Sequence, residues 1–190
     1  MSDEAAPKEL PSKKLYGIFA GTIDQLAVQR LANIICVASQ QGVTQIHLIF
    51  QTTGGIVGDG ICLYNIFQEA PMDIHLYNVG NVASIGVIAY LGADFRKTTK
   101  NAAFMIHKVT FSPQAATVDR LQSAANAAAL DDKRIEGILQ THIDLPNEKW
   151  DIHKVSDLWL SAEDAIQARL AESIEDFCPP YGEQIFYVGP

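Results

Sequence analysis

The chain has 190 residues, 48% hydrophobic and 19% charged, a length and balance that fit one folded domain and exclude a wholly disordered chain. Fourteen Lys and Arg stand against 22 Asp and Glu, a net charge of −8, so electrostatic capture of nucleic acid or anionic lipid is not expected. The scattered Cys36, Cys62 and Cys178 form neither a disulfide framework nor a metal-binding CxxC spacing, which points to a reduced, intracellular compartment.

Residues 1–14 are polar, carry two prolines and contain no apolar stretch resembling the centre of a signal peptide. They read as a flexible N-terminal arm. No apolar run is long enough to span a bilayer, so a soluble, cytoplasmic protein is expected. LYGIFAG at 15–21 predicts a strand, followed by a helix over 24–40 with Asp24 as its N-cap and Gly42 ending it. QIHLIFQ at 45–51 is a short apolar run of the kind a buried parallel strand uses. The turn TTGG at 52–55 leads to a helix over 58–68, closed before Pro71. A strand over 74–79 meets GNVASIG at 80–86 and then a helical stretch of small residues to about Leu91.

This order, β-α-β-α-β-α, favours parallel strands with helices covering the sheet. One more strand is expected over 104–107. Residues 115–142 then form a long, alanine-rich helical stretch, either a protruding arm or an ordinary covering helix. After Pro146 a short helix runs to about Asp157 and another spans 161–168. The tail at 178–190 is turn-rich and then apolar at 185–188, and is expected to add an edge strand or to lie across a neighbour. No repeat and no domain boundary interrupts the chain, so 15–177 reads as a single domain.

Ser84 follows a strand and opens a helix of small residues, where free N–H groups and the helix dipole favour developing negative charge. The same position suits a simple serine N-cap. The spacing is not the GxSxG elbow of the α/β-hydrolases. Gly54 and Gly55 permit positive φ and outward N–H groups, as an oxyanion hole requires, although a tight turn uses the same pair. The Lys and Ser/Thr of a phosphate-binding loop are missing. His107 ends an apolar strand, where α/β sheets gather their sites, and can act as a general base. Asp157 lies just before an apolar trio, with Asp164 as a competing carboxylate. His47, His75, His142 and His153 fall in no metal-binding pattern.

Serine, histidine and acid in that order, after a diglycine turn, resemble the proteolytic-subunit family of the Clp protease (ClpP) over residues 15–174. Gly54-Gly55 is similar to the family's S-P-G-G turn, and residues 80–86 to its G-x-A-A-S-M-G nucleophile motif. Met105-Ile106-His107 matches M-I-H, and Asp157 with residues 159–162 matches D-R-F-L-S-A. The resemblance implies an α/β, ClpP/crotonase-like superhelix of β-β-α units, with 115–142 as a protruding helical handle. It implies a serine endopeptidase that cleaves peptides or unfolded polypeptides. Ser84 would be the nucleophile, His107 the base, Asp157 the orienting acid, and the N–H groups of Gly55 and Ile85 the oxyanion hole. No metal or organic cofactor is implied.

The resemblance further implies a homo-oligomeric ring, with stacking into a double ring, and an ATP-driven AAA+ unfoldase as partner, since the chain has no nucleotide-binding loop. Departures are also plain. Thr52-Thr53 replaces Ser-Pro, Lys108-Val109 replaces Gln-Pro, and the glycine-rich strand expected next reads VTFSPQAAT with Pro113. Val155-Ser156 replaces a charged pair, and Arg169 stands where a helix-ending glycine is usual. A non-catalytic ring subunit and a crotonase-type acyl-CoA enzyme are the alternatives, both differing in the fate of Ser84.

Overall fold

The computed structural model describes residues 13–110 and 117–189. It begins with β1 (Lys14–Ala20), α1 (Gln25–Gln40), β2 (Gln45–Gln51), α2 (Val57–Gln68) and β3 (Asp73–Asn78). Each helix carries the chain back across the sheet, so β1, β2 and β3 pair in parallel, with Tyr16 opposite His47 and His47 opposite His75. Asp24 caps α1 by accepting the Ala27 N–H at 2.8 Å. Gly42, at φ 68°, turns the chain out of the helix.

After β3 come β4 (Asn81–Ala83), α3 (Ile85–Leu91), β5 (Phe95–Thr98) and β6 (Ala103–Ile106). They are followed by α4 (Val118–His142), α5 (Asn147–Val155), β7 (Leu158–Ser161), α6 (Ala162–Gln167), β8 (Ser173–Ile174) and β9 (Ile185–Val188). Two sheets result. The larger has the order β8-β5-β3-β2-β1-β9, and the smaller has the order β4-β6-β7. Every pairing in the larger sheet is parallel.

All seven residues of α3 are buried. A helix so short is marginal by itself. Burial of Val87, Ile88, Tyr90 and Leu91, each removed almost wholly from water, contributes roughly 1.5–3 kcal/mol per large side chain and holds it in place. Its N-terminus is thereby fixed at the junction of the two sheets, where β4 bridges to Thr52 at the end of β2.

Four strands depart from the sequence expectation. The trio Leu158-Trp159-Leu160 forms β7 rather than a link between helices, with both leucines buried and Trp159 exposed. That two-residue alternation is a strand signal. β5 carries Arg96 and Lys97, which mask it in sequence. Arg96 is satisfied by the Leu170 and Ala93 carbonyls and by Glu172. β4 and β8 are too short to announce themselves. The tail's apolar run becomes β9, an edge strand on β1, where the Phe186 ring covers Gly17.

Both expectations for the long helix are met in part. The N-terminal half of α4 is exposed around its circumference, with Val118 and Leu130 open to solvent. Its C-terminal half is docked through Ile135 and Leu139. The residues around Pro113, read in place of a glycine-rich strand, and most of the N-terminal arm fall outside the described residues.

Candidate active site

The smaller sheet assembles the site. β4 ends at Ala83 and the chain turns sharply at Ser84, which adopts φ 58° and ψ −133° before entering α3. A non-glycine residue at such a φ costs on the order of 1–3 kcal/mol and persists only where its surroundings enforce it. Here the Ser84 N–H donates to the Met105 carbonyl at 2.7 Å, locking the turn to β6. Ser84 makes no side-chain cap to its helix. Its hydroxyl is free for another partner.

That partner is His107. Nε2 of His107 lies 2.7 Å from Ser84 Oγ. The parallel pairing of β4 with β6, Ala83 opposite Met105, sets this approach. Both residues are partly exposed, as a serine and base that receive a substrate must be.

Above them sits the diglycine turn. A Cβ on Gly54 would lie 2.6 Å from Ser84 Cβ, so any side chain there would displace the serine. A Cβ on Gly55 would meet the Ile23 carbonyl oxygen at 2.0 Å. The turn is braced by the Gly54 N–H donating to Thr52 Oγ1 at 3.0 Å and by the Ile23 N–H donating to the Gly54 carbonyl at 2.9 Å. The Gly55 N–H makes no hydrogen bond among the described residues. The Ile85 N–H, at the first position of α3, has no partner within its helix. Two backbone donors thus remain open beside the hydroxyl.

Asp157 directly precedes β7. That strand pairs antiparallel with β6, Met105 opposite Trp159 and Ile106 opposite Leu158. The ladder ends there, and one further step of the same register would set His107 opposite Asp157. Directly opposed residues of an antiparallel pair share a face, with Cβ atoms about 4.5–5.5 Å apart. The Asp157 side chain is exposed, and among the described residues no hydrogen bond or ion pair joins it to His107. The backbone brings the acid alongside, and its carboxylate is unengaged. Asp164 is occupied elsewhere: it completes a capping box with Ser161 and pairs with Lys149, whose hydrogen bond holds the carboxyl below its usual range.

A cavity of about 70 Å³ opens beside Ser84. Val57, Ile88, Ile106, Ile135 and Leu139 supply an apolar lining. The α4 residues here were not legible as site residues. Their four-residue spacing was the available signal. His153 on α5 is buried, and its Nδ1 has no hydrogen-bond partner among the described residues. Burial, then nearby Lys108, hold its pKa below the ordinary histidine value. Among the described residues no group of three or more His, Cys, Asp or Glu is arranged to hold a metal, and no helix is long and apolar enough to cross a membrane.

This arrangement suits acyl transfer, with a hydroxyl beside a base and backbone donors. Comparison with known proteins agrees. The family model described as Clp protease matches residues 16–176. ATP-dependent Clp protease proteolytic subunit 1 of Streptomyces avermitilis is 26% identical over 170 residues, covering 85% of this chain and 78% of that protein. The ATP-dependent Clp protease proteolytic subunit of Deinococcus radiodurans is 26% identical over 163 residues, covering 84% and 79%. A solved structure of a ClpP1 variant from Listeria monocytogenes superposes with a TM-score of 0.74 at 18% identity, over 87% of this chain and 92% of that one. The chain therefore belongs to the Clp protease family, with the ClpP/crotonase-like fold, and is a serine-type peptidase.

Proposed function

We propose that this chain is an endopeptidase subunit in which Ser84 is the nucleophile, His107 its general base and Asp157 the acid that orients the imidazole. Ser84 Oγ attacks the peptide carbonyl as His107 Nε2 takes the hydroxyl proton. The same imidazolium then returns that proton to the departing amine. The Gly55 and Ile85 N–H groups receive the oxyanion, a contribution of roughly 3–4 kcal/mol per donor. Water attacks the acyl-enzyme by the same route in reverse and frees the carboxylate. In the cycle Asp157 swings onto His107 Nδ1 from its place across the β6–β7 ladder.

The observation that carries this reading is the 2.7 Å contact between His107 Nε2 and Ser84 Oγ, made at a strained turn. An open cleft of this kind would attack any unfolded chain, so we assign it to a closed homo-oligomeric ring in the cytoplasm. Residues 15–177 are then the peptidase domain and 178–190 a tail. The exposed half of α4 is the surface through which rings stack, and an AAA+ unfoldase feeds the chamber. The test is labelling by a fluorophosphonate with native mass measured in parallel. Labelling of the parental protein that is lost in Ser84→Ala, on a particle many times the mass of one chain, supports the reading. An unlabelled parental particle would leave a non-catalytic ring subunit, and tight acyl-CoA binding without labelling would favour a crotonase-type enzyme.

A further inference from the structure

The segment that leaves His107 is tied to α4 by two acids. The Val109 N–H donates to Asp132 Oδ1 at 2.8 Å. Lys108 Nζ lies 3.2 Å from Glu136 Oε2. Asp132 and Glu136 stand four residues apart, one above the other on the helix. Ile135 and Leu139, at the same spacing on the adjoining stripe, are buried against the cavity beside Ser84. Lys108, Val109 and Thr110 complete the rim of that cavity. One helix therefore supplies both the apolar wall and the clamps that hold the opposite wall to it.

We propose that Asp132, assisted by Glu136, is a positioning residue for substrate: it fixes residues 108–110 so that the cavity beside Ser84 keeps the shape that accepts an apolar side chain next to the scissile bond. The bond is charge-assisted and half-buried, the stronger class of hydrogen bond. It also depends on this sequence in particular. A proline at position 109 would have no N–H to give, and Val109 does. His107 itself is held by Ser84 and by the register of β6, so the clamp governs where the substrate lies more than how the base works.

This inference rests on the peptidase reading, and the experiment separates the two. Peptides with an apolar residue before the cleaved bond are turned over by the parental protein, by Asp132→Ala, by Asp132→Asn and by Asp131→Ala. Asp132→Ala is expected to raise KM about tenfold with kcat within about twofold of parental, the pattern of lost ground-state and transition-state binding alike. Asp132→Asn, which keeps an acceptor oxygen, restores most of the loss. Asp131→Ala makes the same change of net charge one residue away, where the carboxylate pairs with Arg134, and leaves KM unchanged. Hydrogen exchange at the Val109 amide gives a readout that needs no activity: protected in the parental protein and in Asp132→Asn, and fast in Asp132→Ala. An unchanged KM in Asp132→Ala, or equal losses in Asp132→Ala and Asp131→Ala, overturns the clamp. A parental protein without turnover would instead overturn the peptidase assignment, and Val109 exchange would still judge the clamp.

Discussion

His107 and the pair His47 and His75 present one side chain in two settings. His107 directly follows β6 of the small sheet, partly exposed, with Nε2 on a serine hydroxyl. His47 and His75 lie within the large sheet, in a ladder that crosses four strands in register, Tyr16, His47, His75 and Phe95. Their rings stack at 5.0, 4.2 and 4.2 Å between successive centroids. Both ring nitrogens of His75 are buried without a hydrogen-bond partner among the described residues. The lesson is that the imidazole's surroundings, and not its presence on a strand, separate chemistry from architecture.

Exchanging the two roles is the hardest test of that distinction and carries the largest effects. His107→Ala is expected to lower kcat for peptide cleavage by on the order of 10⁴-fold, since the hydroxyl loses its base. Its cost in stability should stay within about 1 kcal/mol, because the residue is partly exposed. His75→Ala should behave in the opposite way. It removes a ring from the middle of the stack, at a cost of roughly 2–4 kcal/mol in urea unfolding, with kcat little changed. Activity lost in His75→Ala at temperatures where it remains folded would break the separation.

A second test sharpens the active half. If Asp157 orients His107 during turnover, Asp157→Asn should cost about 10³–10⁴-fold in kcat, with fluorophosphonate labelling slowed in parallel. A loss below about tenfold would mean that the exposed carboxylate acts from a distance and holds no tautomer.

Ser84, His107 and the diglycine turn were each weak signals in sequence and stood out as candidates only through their order and the family resemblance. The structure adds that Ser84 and His107 are in contact and that a Cβ on either glycine would strike Ser84 or Ile23. The helix α1 was legible from its cap and apolar stripe, α2 from the glycine turn before it and Pro71 after it, and α4 from its long alanine-rich run. What stayed hidden was hidden for physical reasons. β5 is held by its neighbours and by the partners of Arg96 rather than by its own apolar pattern. β7 has one exposed tryptophan between two buried leucines and only four residues in which to show its period. One wall of the cavity comes from Ile135 and Leu139 of α4, far along the chain from His107, and only the docking of that helix's second half reveals it. Asp157 was found by motif. The β6–β7 pairing, which ends one residue short of both Asp157 and His107 at Ile106 opposite Leu158, is contained in no local pattern.

The passive half of the comparison has its own measurable signature. Burial, then the neighbouring His75, Lys14 and Lys97, bring the pKa of His47 down from 6.5 to about 4, with Glu175 opposing. That of His75 is lowered too, chiefly by burial. A depressed histidine pKa means that the unfolded chain binds the proton first. Stability is therefore highest above about pH 6.5, falls as pH drops toward 4, and levels off below, where both states are protonated. The His47 share, over about 2.5 pH units at 1.36 kcal/mol per unit, is on the order of 3 kcal/mol. Urea midpoints measured between pH 7 and 4.5 should show this fall, and His47→Phe, which keeps a ring in the stack, should flatten it. An equal slope in both proteins would remove His47 from the account.

The smallest effect tests the strain at Ser84 by contrast. Among the described residues two non-glycine positions have positive φ, Ser84 at 58° and Arg169 at 57°. Ser84 is held there by the β4–β6 junction and delivers its hydroxyl to His107. Arg169 closes α6 with its N–H on the Ile166 carbonyl, and its guanidinium makes only an exposed ion pair with Asp144 at 3.3 Å. Such a pair contributes about 0–1 kcal/mol, against roughly 1–2 kcal/mol for a side chain in the left-handed region. Arg169→Gly should therefore stabilise the protein by about 0.5–1 kcal/mol without touching kcat, read as a rise in urea midpoint. Ser84→Gly relieves the same kind of strain and ends catalysis. Were Arg169→Gly to destabilise the fold, the ion pair would outweigh the backbone, and the strain at Ser84 would have to be judged cheaper than its dihedral angles imply.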